Sequence, residues 1–160
     1  VKRQIDSKLT LVGGFYDKKL EKWAKEFDRE NELDIEWKGW VNYRDLASIF
    51  SKATVGLCLL QDQERYDRAI STKIFEYLIS GVPVLTSKGY LVEELIEKGR
   101  CGKAVDATKV EAVAVEMINL LKNNELDMLG NNGLKFSRKK FVWEKREKNL
   151  LKVVDRLTTN

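Results

Sequence analysis

The sequence predicts an α/β fold, a Rossmann-like layered domain with a parallel sheet, helices on both faces and C-terminal helices packed outside. Three observations carry this. Strand-like and helix-like segments alternate along the 160 residues. One strand segment, TVGLCLL at Thr54 to Leu60, is almost continuously apolar, as expected for a strand buried on both faces. No internal repeat, low-complexity tract or Pro/Gly-rich linker breaks the rhythm, so residues 1–160 read as one domain.

In order, Lys8 to Gly13 (KLTLVG) reads as a strand ended by Gly13-Gly14. Leu20, Trp23, Ala24 and Phe27 then fall at helical spacing. Leu33, Ile35 and Trp37 alternate as in a strand, which Gly39 ends. Asn42 is a suitable N-cap for a short helix carrying Leu46, Ile49 and Phe50. After the Thr54–Leu60 strand, a polar stretch, QDQERYDRAI, leads into a helix from Ser71 to Ser80. Val82 to Thr86 is a short strand with Pro83 near its start, where a missing N–H is tolerated. Tyr90 to Lys98 reads as a helix stopped by Gly99, and Cys101 to Val105 as an edge strand. Val110, Val113, Met117, Leu120 and Leu121 mark an amphipathic helix. Two more helices follow, near Glu125 to Lys135 and Val142 to Leu157; in the last, Trp143, Leu150, Val154 and Leu157 share one face.

Composition narrows the chemistry. Hydrophobic residues at 43% and charged residues at 34% describe a folded chain, not a disordered one. The longest apolar run, Val55 to Leu60, is far too short to span a bilayer. Val1 to Ser7 is charged and lacks the apolar stretch of a signal peptide. Cys58 and Cys101 are far apart and read as buried thiols in a reducing, cytoplasmic compartment. The chain has no histidine, which excludes a Ser-His-Asp or Cys-His nucleophile and a His-ligated zinc site; no metal site is expected. There is no GxGxxG and no GxxxxGK[ST], so neither nicotinamide nor P-loop chemistry is supported.

Charge is unevenly placed. Lys135 to Arg156 holds nine Lys/Arg against three Asp/Glu, whereas the whole chain carries +4, so the remainder is net negative. With Phe136, Phe141 and Trp143 interleaved, this segment suits acidic lipid or nucleic acid. It equally suits a solvated helix face whose aromatics dock on the core, the reading favoured here because charge runs are usually solvated surface. No nucleic-acid partner is expected, and a peripheral contact with the inner face of the membrane stays open.

In a parallel sheet with right-handed crossovers, ligands bind outside the carboxyl ends of the strands. The candidate loops are therefore Gly13 to Tyr16, Gly39 to Val41, Gln61 to Ile70 and Ser87 to Tyr90. The third is the longest and most polar, and it opens onto Ser71-Thr72-Lys73 at a helix start. There the free N–H groups and the positive end of the helix dipole favour an anion, and Lys73 adds a cation. Ile74, Phe75 and Leu78 form the buried stripe, leaving Glu76 about 100° away and free to accept hydrogen bonds from neutral hydroxyls. On pattern alone a second reading stands beside this one: Ser71 caps the helix and Glu76 faces water.

The stretch STKIFEYLISGVPVLTS, Ser71 to Ser87, resembles the signature of the retaining group 1 glycosyltransferases, a Glu-bearing helix followed by Gly-x-Pro-Val and a short strand. LTLVGG at Leu9 to Gly14, WKGWVNYRDLASIFSKATVGLCLL at Trp37 to Leu60 and LIEKGRCGKAV at Leu95 to Val105 agree with it in order and spacing. So does FVWEK at Phe141 to Lys145, and the likeness covers nearly the whole chain. The resemblance implies the C-terminal, donor-nucleotide half of a two-domain enzyme of the GT-B fold. Its donor would be a nucleoside-diphosphate sugar, with no cofactor, and its acceptor a glycan or lipid-linked sugar held by an N-terminal domain. Glu76 matches the glutamate that holds the ribose hydroxyls, and Thr72 and Lys73, after Ser71, the helix start near the diphosphate. Gly39, Trp40 and Val41 match the loop against the base, and Gly13-Gly14 the loop after the domain's second strand.

Two departures accompany the match. Eight positions before Glu76, where the family has an earlier glutamate near the donor sugar, this sequence has Arg68, with Glu64 and Asp67 nearby but out of register. Arg68 and Glu64 are thus candidates for the sugar or phosphate, and no catalytic residue is assigned. The family's phosphate-contacting Arg and Lys belong upstream of LTLVGG, ahead of Val1, so the isolated domain is expected to be inactive. The resulting expectation is a metal-independent hexosyl transferase domain of bacterial surface polysaccharide or glycan assembly. The alternative is a non-catalytic nucleotide-binding or assembly module with a degenerate donor site. A glycosidase built on Glu64, Asp67 or Glu76 fits the strand–helix rhythm poorly.

Overall fold

Short parallel strands, each followed by a helix, build two small sheets. The computed structural model describes Val1, residues 4–60 and residues 69–158. The chain divides into two compact units, Val1–Ile49 and Phe50–Asn160.

The first unit holds β1 (Thr10–Val12), α1 (Lys18–Glu30), β2 (Glu36–Gly39) and the start of α2 (Tyr43–Phe50). β1 and β2 pair in parallel, with Leu11 opposite Trp37 and Val12 opposite Gly39. Asp17 caps α1 by accepting from the Lys19 N–H at 2.7 Å. Asn42 caps α2 as expected, accepting from the Arg44 N–H at 3.0 Å. One expectation is corrected. The strand predicted from Leu33 begins only at Glu36, because Glu32 and Asp34 take left-handed conformations (φ 51° and 55°) that break the alternation. Asp28 then fixes the strand entry, accepting from the Ile35 N–H at 3.2 Å and the Trp37 indole at 2.7 Å. Leu20, Trp23 and Phe27 share an α1 face as their spacing predicts, and no α1 residue is buried. Trp23 and Phe27 stack on each other at 5.4 Å with Trp23 still 59% exposed. Strands of three and four residues are too short to cover a helix of thirteen.

The second unit holds β3 (Gly56–Cys58), α3 (Thr72–Ile79), β4 (Val84–Ser87), α4 (Tyr90–Gly99) and β5 (Gly102–Val105), then α5 (Val110–Lys122), α6 (Leu126–Lys140) and α7 (Trp143–Thr158). Its sheet is parallel in the order β3-β4-β5. The pleat sends successive residues to opposite faces, and the core divides accordingly. Cys58 and Val84 join Ile74 and Leu78 of α3 and Val92, Leu95 and Ile96 of α4 in one cluster. Leu57, Leu85 and Val105 join Val113, Met117 and Leu120 of α5 in the other. Helices thus lie on both faces, as the continuous apolar run at Thr54–Leu60 requires.

Gly99 does not stop α4. It is the last helical residue, and Arg100 takes the left-handed cap at φ 45°. A Cβ on Gly99 would stand 2.8 Å from the Cys101 Sγ and 3.0 Å from the Phe136 ring, so this glycine is needed for close packing. At the C-terminus only part of the aromatic docking occurs. Phe136 and Phe141 pack against the first cluster, whereas Trp143 is 62% exposed and Leu150, Val154 and Leu157 lie open along α7. Both faces of the sheet are already covered, so nothing in this unit's core asks for the stripe of α7.

Cys101 is fully buried at the entry to β5, and burial pushes its thiol from an ordinary 9.0 up to about 11. A thiol raised this way adds stability below pH 9.0 that is lost as pH climbs through about 11. At about pH 8, Cys101 is expected to resist iodoacetamide in the folded chain and to react after denaturation. Peptide mapping after labelling checks this; rapid folded-state modification would contradict the burial.

Candidate functional site

The predicted site residues fall into both units. In the first, Gly13 and Gly39 end β1 and β2, and the Gly13 N–H donates to the Gly39 carbonyl at 2.7 Å. Their φ angles, 115° and 62°, suit glycine and turn the chain away from the sheet. Trp40 lies over Gly14: a Cβ there would stand 3.0 Å from the indole Cε2. The outer surface of Trp40 is open, at 79% exposure, while Val41 is half-buried. Gly13, Gly14, Gly39, Trp40 and Val41 are thus brought together at the carboxyl ends of β1 and β2.

In the second unit the strands are parallel, so the helices that follow them, α3, α4 and α5, all start at the carboxyl edge of the sheet. Ser71 is the N-cap of α3 with extended backbone (φ −63°, ψ 136°), and its hydroxyl makes no capping bond. Capping by the Ser71 side chain is therefore not what this serine does here. Thr72 and Lys73 are exposed on the first turn. Ile74 and Leu78 face the core, Phe75 is half-buried beside it, and Glu76 lies off that stripe, half-buried. Among the described residues neither the Lys73 nor the Glu76 side chain has a hydrogen-bond or ion-pair partner. An unspent cation at a helix N-terminus and an unspent carboxylate one turn on can meet an anionic ligand and neutral hydroxyls. Arg68, Glu64 and Asp67 lie outside the described residues.

Ser87, at the head of the fourth candidate loop, has a structural role that spacing does not predict. Its hydroxyl both accepts from the Leu60 N–H and donates to the Leu60 carbonyl, each at 2.6 Å, tying the ends of β3 and β4 where the polar loop departs. Thr86 adds a buried bond to the Cys58 carbonyl at 3.2 Å. Tyr77 was missed too. Its hydroxyl donates to the Leu57 carbonyl at 3.3 Å, and burial raises its pKa. For Thr86 and Ser87 the one sequence signal is a hydroxyl at a strand's carboxyl end; Tyr77, inside α3, carries none.

Residues 1–123 match the family described as glycosyl transferases group 1, and the chain belongs to that family. Glucosyltransferase 3 of Streptococcus gordonii is 29% identical over 125 residues, covering 74% of this chain and 37% of that protein. Sucrose-phosphate synthase of Thermosynechococcus elongatus shares the fold with a TM-score of 0.77 at 21% identity, over 94% of this chain and 38% of its own. HepE of Anabaena, solved in complex with UDP, gives 0.75 at 14% identity over 92% and 40%. The family expected from Ser71–Ser87 and the Rossmann-like fold expected from the strand–helix alternation are thereby met, and the chain spans well under half the length of these relatives. Among the described residues no helix is long and apolar enough to cross a membrane.

Proposed function

We propose that this chain is the nucleotide-sugar-binding domain of a retaining, metal-independent hexosyl transferase, the donor half of a two-domain cytoplasmic enzyme of bacterial glycan assembly. The observation that carries the reading is α3: an N-terminus with no side-chain cap bond, and the side chains of Lys73 and, one turn on, Glu76 without a partner among the described residues. In this reading the diphosphate meets the N–H groups of Ser71 to Lys73, and Glu76 accepts the ribose hydroxyls. The loop at Gly39, Trp40 and Val41 serves the base, with Gly13-Gly14 beside it. As the bond from the anomeric carbon to the diphosphate breaks, negative charge grows on the departing oxygen; the helix dipole and Lys73 stabilise it. The binding of UDP by HepE supports a nucleotide ligand of this class.

Binding of UDP, GDP, ADP and CMP and their sugars to the 160-residue chain tests the reading. One nucleotide should bind, EDTA should leave its affinity unchanged, and acceptor-dependent sugar transfer by this chain alone should be absent. A folded chain that binds none of them supports the non-catalytic assembly module instead. Loss of binding in EDTA would refute metal independence, and turnover would refute the need for a second half.

A further inference from the structure

We infer that Phe141 is a positioning residue: its ring sets the rotation of α3 about its own axis and so aims the Glu76 carboxylate. The inference rests on the reading of Glu76 as a nucleotide ligand. α3 is only eight residues long and is held on its sheet side by Ile74 and Leu78, with the Tyr77 hydroxyl donating to the Leu57 carbonyl at 3.3 Å. Beside it α6 comes very close through glycines. A Cβ on Gly133 would lie 2.8 Å from the Leu78 Cδ2, and one on Gly130 would overlap the Gly81 carbonyl oxygen. Bare backbone fixes how near the two helices lie, but it offers no side chain to lock the turn of α3 about its axis.

On the α6 side that lock comes from aromatic rings. Phe75 meets Phe141 edge-on, with centroids 4.9 Å apart at 67°. Phe141 is itself held on three sides. Its N–H donates to the Ser137 carbonyl at 2.8 Å as the C-cap of α6, Phe136 packs against it at 5.5 Å and 78°, and the Arg146 guanidinium stands 5.8 Å from its ring. Phe75 and Glu76 are consecutive, so any rotation of one turns the other by the same angle. With a side-chain shell roughly 5–6 Å from the helix axis, a turn of about 20° carries a carboxylate about 2 Å sideways, enough to break hydrogen bonds to two adjacent hydroxyls.

The test measures melting temperature and affinity for the tightest-binding nucleotide of the UDP, GDP, ADP and CMP set, in the wild-type 160-residue chain and variants, well below each melting point. Phe141→Leu keeps apolar volume and loses the ring edge; it should bind about fivefold more weakly. Phe141→Tyr keeps the edge and should restore wild-type affinity. Amide shifts at Ile74 to Tyr77 should move in the Leu variant and return in the Tyr variant. Wild-type affinity in Phe141→Leu, with binding weakened in Glu76→Ala, overturns the positioning role alone. Unchanged binding in Glu76→Ala, or no binding by folded wild type, removes the reading of the site and the inference with it. If Phe141→Leu does not fold, Arg146→Ala loosens the ring from outside, with a loss of about threefold expected and wild-type affinity again the overturning result.

Discussion

Replacing Glu76 by alanine is expected to weaken nucleotide binding about ten- to a hundredfold. The figure follows from the loss of hydrogen bonding to a charged acceptor, where one bond contributes roughly 1.5–3 kcal/mol. Glu76 is half-buried, off the Ile74–Leu78 stripe, and its side chain makes no hydrogen bond or ion pair among the described residues. Removing it therefore opens no cavity in the core and orphans no described partner. The melting temperature should hold, as for substitutions that touch no packing, within about 0.5 kcal/mol. Glu76→Gln keeps the shape and one acceptor oxygen, and should retain part of the affinity. Titration calorimetry with the best-binding nucleotide, together with a melt of each variant, separates this from a solvated helix glutamate, which predicts no change in affinity. A large loss of stability with affinity intact would make Glu76 structural and withdraw the principal support for a nucleotide site.

The largest effect on stability is expected at Gly102. It sits opposite Val84 in the β4–β5 register and is buried. A Cβ there would overlap the Val84 carbonyl oxygen and stand 2.8 Å from its carbonyl carbon. The obstacle is the backbone of a central strand, which cannot rotate aside as a side chain would. Gly102→Ala should cost about 3 kcal/mol, the upper end of overpacking penalties, and lower the melting temperature by about 10 °C. Gly39→Ala is the contrasting case. Nothing lies within 4 Å of its Cβ position, and only the φ of 62° resists substitution, so about 1–2 kcal/mol is expected. Melting both variants, with hydrogen exchange at the β4 and β5 amides, checks the pair. If Gly102→Ala melts within about 2 °C of wild type, the two strands do not approach as closely as described.

Much of this was legible along the chain because it depends on near neighbours. Periodicity gave the order of every strand and helix. The run at Thr54–Leu60 announced a strand covered on both faces, and Asn42 announced its cap. The motif Ser71–Ser87 carried the family. Boundaries were read less well where backbone conformation overrode pattern, as at Asp34, where alternation suggested a strand and a left-handed residue delayed it to Glu36.

Sequence by itself determined the fold class, the family and the helix that bears Ser71, Thr72, Lys73 and Glu76, since each is written in local spacing and residue type. Only the tertiary structure decided which apolar faces are covered. The stripes of α1 and α7 have the same periodicity as that of α5, yet only α5 meets a sheet face wide enough to bury it. It also decided that Gly99 serves packing while Arg100 makes the turn, that Ser87 ties Leu60, and that Phe141 grips Phe75. These contacts join residues distant in sequence, and their partners are chosen by steric fit in three dimensions, which no one-dimensional pattern encodes.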